Sequence, residues 1–151
     1  MPAFTTSREF KHEKTIPASR EEVIALLQDP QELCSLGPLF KSLVKDEKEE
    51  HTYWITDRLP IFGPIEGSTT FKAKLLPRSD GVTTDVSAAL GTKLKTKYWV
   101  EGKTDGSCIV KENTVVEAPF VTMPYVFATM SKAHITVMEN MAKRWGKAEQ
   151  S

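Results

Sequence analysis

Apolar and polar residues alternate through the middle of the chain, and this alternation predicts a series of β-strands. In 65–76 one strand face collects Ile65, Gly67, Thr69, Phe71, Ala73 and Leu75. Further runs of this kind cover 8–16, 43–47, 52–59, 82–88, 93–101 and 108–117. Asp80-Gly81 is a good hairpin turn and Asp105-Gly106 a second turn. The pattern therefore predicts an antiparallel sheet of about six to seven strands.

Two short helices are predicted directly after the first strand. Ser19 can cap free backbone amides, and Glu22, three residues later, completes a capping box. The first helix then has an apolar face and ends at Asp29-Pro30. A second helix over 31–36 is stopped by Gly37-Pro38.

The C-terminal region carries apolar residues at steps of three or four, which predicts one long amphipathic helix over about 124–143. We expect Thr122 to cap it and Pro124 to lie in its first turn. The apolar stripe is rich in methionine and aromatic residues, and it consists of Phe127, Met130, His134, Val137, Met138, Met141 and Trp145. Such residues serve either as core filler or as the wall of an apolar pocket.

The order of elements predicts an α+β fold in which an antiparallel sheet curves around one long helix. The length of 151 residues suits one domain spanning 1–151. No internal repeat or linker interrupts the pattern.

Charge and composition point away from several classes of partner. The 20 basic and 20 acidic residues balance, so we expect no nucleic-acid partner. No apolar window approaches the length of a transmembrane helix, so we expect no membrane insertion. Cys34 and Cys108 show no metal-binding spacing and the three histidines are scattered, so we expect no metal. Two isolated cysteines favour reduced thiols over a disulfide framework, so we expect a cytoplasmic location. Phosphate-binding loops and nucleophile elbows are absent from the sequence, and we expect no cofactor.

Several segments carry a resemblance to a known superfamily. The opening EKTIPASREEVIALLQDPQEL resembles the first strand and helix pair of helix-grip proteins, which include START-like lipid-transfer domains, plant ligand carriers and polyketide cyclases. YWITDRLPIFG, IEGSTTFKAKLL and MSKAH are similar to segments of a fungal branch of small helix-grip proteins. The resemblance implies a cavity between the sheet and the long helix, used for carriage, sensing or cyclisation. Fold alone does not choose among these functions.

His134 is the first candidate for chemistry, because it is the titratable group on the apolar stripe. In a dry cavity it would serve as a general acid or base. The alternative is a core histidine hydrogen-bonded to backbone or to a carboxylate.

The second candidate group lies on the strand over 52–59. Alternation favours an inward Tyr53 face, which points Asp57 into the cavity and Arg58 outward. A buried Asp57 near His134 would form an acid–base pair, with Tyr98 as a further proton-transfer candidate. If a bulge reverses the strand, Arg58 would anchor a ligand carboxylate instead. A salt bridge from Asp57 or Arg58 to a neighbouring strand is the structural alternative.

Glu112 is a polar residue on a mostly apolar strand face, which marks either a paired buried carboxylate or an error of register. The predicted ligand-binding wall combines polar anchors with apolar residues from the strands and the long helix. Its members are Tyr53, Arg58, Phe71, Val86, Val110, Glu112, Met123, Phe127, Met130 and Met138.

Three functions follow from these features. The first is binding of a small hydrophobic ligand such as a lipid, polyketide or terpenoid. The second is a cofactor-free cyclase or isomerase that uses His134 with Asp57 or Tyr98. The third is a protein-interaction module with a solid core and with Trp54 and Trp99 as exposed anchors. Oligomeric state is left open, with a homodimer as one alternative.

Overall fold

A computed structural model describes residues 4–62, 65–88 and 91–146. In this part of the chain seven strands and three helices follow one another in the predicted order. They are β1 (Thr5–Ile16), α1 (Arg20–Leu27), α2 (Pro30–Ser35), β2 (Phe40–Lys45), β3 (Thr52–Phe62), β4 (Ile65–Arg78), β5 (Gly81–Ser87), β6 (Lys93–Gly102), β7 (Cys108–Pro119) and α3 (Met123–Gly146).

The seven strands form one antiparallel sheet in the order β1-β7-β6-β5-β4-β3-β2. Strands β2 to β6 are each paired with the next strand along the chain, as expected for segments joined by short turns. The exception is β1, which pairs with β7 at the far edge, so α1 and α2 form the connection from one edge of the sheet to the other. The predicted α+β architecture is confirmed.

The local signals at the two short helices act as predicted, with one addition. Ser19 and Glu22 form the capping box of α1. Asp29 was predicted only to end α1. It also begins the next helix, because its side chain accepts a hydrogen bond from the amide of Glu32. Helix α2 therefore starts at Pro30, whose missing amide costs little in the first turn.

The long helix α3 begins at Met123, one residue earlier than predicted. Thr122 occupies the predicted capping position, because its carbonyl accepts from the amide of Val126 at 2.9 Å, while its hydroxyl donates to the carbonyl of Pro119 at 3.2 Å. Helix α3 packs across β1 and β7. Its far end is held by two contacts: Asn140 donates to the carbonyl of Leu36 at 2.9 Å, and Arg144 forms a bidentate pair with Glu32.

The apolar stripe of α3 contributes to two separate core clusters. Val137, Met138 and Met141 pack into the main core with α1, α2 and the inward faces of β3 to β7. Met123 and Met130 form a second cluster with Val116 and Ala118 at the other end of β7. Ala133, between Met130 and Val137 in sequence, has too small a side chain to fill the space beneath it.

Candidate functional site

A cavity of about 190 Å³ lies between the sheet, the α2 region and α3. Most of its wall is apolar, and it is interrupted by the side chains of Asp57, Thr84, Thr96, Tyr98 and His134. The remaining lining residues are Leu33, Cys34, Gly37, Pro38, Leu39, Ile55, Phe71, Ala73, Leu75, Val86, Leu94, Ala133 and Val137. An apolar enclosure with a few polar groups is the usual character of a small-molecule site.

The size of the cavity restricts what it holds. Pockets for drug-sized ligands range from roughly 300 to 1,000 Å³. An apolar cavity of roughly 150 Å³ accommodates benzene. A volume of about 190 Å³ therefore suits a molecule of one or two rings. A sterol, a long acyl chain or an extended polyketide exceeds this volume.

His134 lies in the cavity wall and is held from behind by a carboxylate. Its Nδ1 atom is hydrogen-bonded to Oε2 of Glu112. The Glu112 side chain is fully buried, whereas 19% of the His134 side chain is exposed. The ring of Tyr98 stacks against the imidazole with centroids 6.5 Å apart, and Phe10 meets it edge-on at the same distance. Packing and hydrogen bonding together fix the orientation of the imidazole.

The carboxylate of Glu112 belongs to a chain of buried hydrogen bonds. The Thr114 hydroxyl donates to Glu112 Oε2 at 2.6 Å, and the hydroxyls of Thr96 and Thr114 are 2.8 Å apart. Because Thr114 has a single hydroxyl proton and gives it to Glu112, Thr96 must donate to Thr114. The other oxygen of Glu112, Oε1, is buried without a partner in the described part of the chain. Both ends of this chain, Thr96 and His134, reach the cavity.

This arrangement gives His134 a defined chemical role. A carboxylate at Nδ1 favours the tautomer with its proton on Nδ1, so the neutral ring carries its free lone pair on Nε2. A base formed in this way accepts a proton at Nε2, while the carboxylate stabilises the resulting imidazolium. The same hydrogen bond also satisfies a buried carboxylate, which is a structural role in itself.

Burial raises the pKa values of three other groups in the wall. Asp57 is half-buried, and desolvation raises the pKa of its carboxyl. Burial, followed by the charge of Asp57, raises the pKa of the Cys34 thiol to about 12. Burial is also the largest cause that holds the pKa of Tyr98 well above its usual value, followed by the charges of Glu112 and Cys34. Desolvation is thus the largest cause of the raised pKa at each of these three side chains.

The structure places five of the predicted site residues on the cavity wall: His134, Asp57, Tyr98, Phe71 and Val86. Asp57 faces inward as the alternation of β3 favoured. Its predicted contact with His134 is wrong, because the carboxylate that reaches the imidazole is Glu112. The sheet order explains this: three strands separate β3 from β7, and α3 packs on β7.

The other predicted ligand contacts lie away from the cavity. Arg58 is exposed and its Nη2 atom is 3.3 Å from the carbonyl of Pro38, so it does not anchor a ligand there. Tyr53 is partly buried against the main core but is not part of the wall. The remaining six pack elsewhere: Val110 and Met138 in the main core, Met123 and Met130 in the second cluster with the partly buried Phe127 against it, and Glu112 behind His134.

Sequence reasoning missed the wall that α2 and the following segment provide. Leu33, Cys34 and Leu39 line the cavity, together with Ala133 from α3. Ala133 gave a usable signal, because it is a small residue within the helix segment whose neighbours 130, 134 and 137 form the apolar stripe. The α2 residues gave no such signal, because their position depends on the path that the chain takes from β1 at one edge of the sheet to β2 at the other. Among the described residues, no helix is both long and apolar enough to cross a membrane.

Solved structures with the same architecture place this chain in the helix-grip class. Norcoclaurine synthase from Thalictrum flavum, solved in complex with dopamine and hydroxybenzaldehyde, is 18% identical, with 99% of this chain and 91% of that chain covered and a TM-score of 0.67. StfQ, a di-domain ARO/CYC from the steffimycin biosynthetic pathway, is 10% identical over 96% of this chain and 52% of its own, with a TM-score of 0.71. SA2116 of Staphylococcus aureus, a protein of unknown function, is 13% identical over 99% of both chains, with a TM-score of 0.73. At these identities the likeness shows the fold alone.

Residues 5–147 match the family described as Domain of unknown function (DUF7053), and the chain belongs to that family. No curated protein matches the sequence at a significant level.

Proposed function

We propose that this protein binds a compact, mostly apolar molecule of one or two rings inside the cavity between the sheet and α3. The observation that carries this proposal is the mostly apolar cavity of about 190 Å³, with Asp57, Tyr98 and His134 in its wall. Apolar walls supply affinity through the burial of the ligand, and the few polar groups orient it. Norcoclaurine synthase, which has the same fold, was solved in complex with dopamine and hydroxybenzaldehyde, and small aromatic molecules of this kind are in keeping with the cavity volume.

The experiment compares a variant that fills the cavity with a matched variant that does not. Ala133 lines the cavity, whereas Ala128 is exposed on the same helix. We expect native mass spectrometry or calorimetry to detect stoichiometric binding of a one-ring probe such as benzyl alcohol by the unchanged protein. Ala133→Phe should abolish that binding and Ala128→Phe should retain it. Equal binding by both variants would place the ligand outside the cavity and refute the proposal.

A second candidate function is cofactor-free proton transfer on a bound carbonyl compound, and the contact of Glu112 with His134 is what favours it. A base oriented by a buried carboxylate and facing an apolar cavity has the arrangement needed to remove a proton next to a carbonyl. In this proposal Asp57 or Tyr98 would act on the carbonyl oxygen, and the reaction would be an isomerisation or a cyclisation. Such a step needs no cofactor.

Hydrogen exchange distinguishes binding alone from catalysis. Acetophenone in deuterated buffer exchanges its methyl protons slowly by itself, and nuclear magnetic resonance measures the rate. If the protein is a general base catalyst, it accelerates the exchange, and His134→Gln removes the acceleration while the binding of acetophenone persists. If the unchanged protein binds acetophenone without accelerating exchange, the catalytic proposal fails and the binding proposal stands.

The protein-interaction alternative is weakened by two observations. The core is not solid, because the cavity occupies it. The indole of Trp54 donates to Asp46 at 3.0 Å, and that of Trp99 is 3.4 Å from a carboxylate oxygen of Glu101, so both proposed anchors are engaged within the chain. A homodimer, a cytoplasmic location, a fungal source and a place in secondary metabolism stay predictions.

A further inference from the structure

Among the described residues, the cavity wall carries a carboxyl group but no lysine or arginine. Cys34, Asp57, Tyr98 and His134 are its titratable members. The chain has 20 basic residues, yet no lysine or arginine lines the cavity within the described ranges 4–62, 65–88 and 91–146. If His134 becomes protonated, its charge is already paired with Glu112 at Nδ1. The described wall therefore offers one carboxyl group and no cation that is free to pair with an anionic ligand.

Asp57 supplies the carboxyl group of this wall. It is half-buried, and within the described residues neither a hydrogen bond nor a cation offsets the burial. Arg58, its neighbour in sequence, points to the other face of β3 and bonds to the carbonyl of Pro38. A carboxylate removed from water without a partner is costly, so a ligand that supplies the partner gains affinity.

We propose that the cavity selects a compact protonated amine, with the ammonium group on Asp57 and the hydrocarbon part against the apolar wall. This inference rests on the proposed binding function. An ammonium forms charge-assisted hydrogen bonds with a carboxylate, and these are about twice as strong as neutral ones. A ligand that carries a carboxylate should bind more weakly. The negative charges of Asp57 and Glu112 repel it, and the described wall holds no cation to compensate.

The test uses three probes with the same ring and different polar groups: benzylamine, benzyl alcohol and benzoate. Titration calorimetry near neutral pH should show that benzylamine binds about tenfold more tightly than benzyl alcohol, a difference of about 1.4 kcal/mol. Benzoate should bind more weakly than the alcohol. In Asp57→Asn the preference for the amine should disappear, while the affinity for benzyl alcohol remains.

A matched control separates the local carboxyl from the net charge of the protein. Asp85 is exposed and is not one of the residues that line the cavity, so Asp85→Asn removes the same charge without changing the cavity wall. We expect it to keep the full preference for benzylamine. If benzyl alcohol binds but benzylamine binds no better, or if Asp57→Asn keeps the preference, the amine inference is overturned and the binding function survives. If none of the probes binds, both are overturned.

Discussion

Nδ1 of His134 is hydrogen-bonded to Oε2 of Glu112, whose side chain is fully buried behind the cavity wall. The imidazole comes from α3 and the carboxylate from β7, so the contact ties the long helix to the sheet. It positions a titratable ring at the cavity and at the same time satisfies one oxygen of a buried carboxylate. The same bond therefore serves the core and the site.

The first prediction concerns the stability that this pair contributes. Replacing His134 with Leu leaves the carboxylate of Glu112 buried without its main partner, which should lower the free energy of unfolding by about 3 kcal/mol. The double variant with Glu112→Leu should recover part of that loss, because the buried charge is gone. Urea denaturation of the two single variants and the double variant should give a coupling of about 1 kcal/mol or more.

Thr56 and Thr70 provide the control, since their hydroxyls are 2.8 Å apart at an exposed position on neighbouring strands. The corresponding cycle with valine should show a coupling of about 0.5 kcal/mol or less. A similar coupling in both cycles would mean that the Glu112–His134 contact is not maintained in solution.

The second prediction concerns the reactivity of Cys34. Burial and the nearby charge of Asp57 raise the pKa of its thiol to about 12. Near pH 8 the reactive thiolate is then about a thousandfold rarer than in a thiol of normal pKa, so alkylation by iodoacetamide should slow by about that factor. Mass spectrometry of peptides against a free-thiol standard measures the rate. Asp57→Asn should speed the reaction, and a rate equal to the standard would contradict the buried position of Cys34.

The third prediction concerns Gly81, where the turn into β5 brings the backbone against β6. A Cβ at this position would lie 2.0 Å from the carbonyl oxygen of Tyr98, too close for any side chain. Gly81→Ala should therefore destabilise the protein by about 1–3 kcal/mol and displace Tyr98 at the cavity. Gly102→Ala is the control, because there the nearest atom is a flexible arginine carbon at 3.8 Å. Thermal unfolding of the two variants should separate them, and equal stability would show that β5 adjusts freely.

The fourth prediction concerns pH and the pair between α2 and α3. The hydrogen bonds and charge of Arg144 hold the pKa of Glu32 below its usual value. Because the folded pKa lies below that of the unfolded chain, the stabilisation is present above the unfolded-state value and is lost as the pH falls through the folded one. A nuclear magnetic resonance titration should show the pKa of Glu32 rising towards normal in Arg144→Ala. An unchanged pKa would indicate that the exposed pair is not populated in solution.

Local patterns account for what could be predicted about the fold. The capping box at Ser19 and the alternation along 65–76 depend on neighbouring residues alone, and both appear in the structure as expected. The alternation of β7 likewise put Glu112 on the buried face, which settles the register question in favour of a paired carboxylate. Thr122 lies at the start of α3 as predicted, but the direction in which its hydroxyl donates, to the carbonyl of Pro119, depends on the preceding turn and did not follow from the local pattern.

The candidate site was likewise predictable in part. Its inward residues on single strands, such as Asp57 and Phe71, followed from periodicity. The apolar stripe of α3 did not show which of its residues line the cavity. Along its length this one helix face contacts two core clusters and the cavity.

By itself, the sequence determined the elements, their order and the faces that turn inward, because these depend on spacings of two or of three to four residues. Only the tertiary structure decided that Glu112, and not Asp57, meets His134. It also decided that α2 contributes to the cavity wall and that the cavity volume is about 190 Å³. These properties depend on which strands become neighbours and where α3 crosses them, and no local pattern specifies such distances.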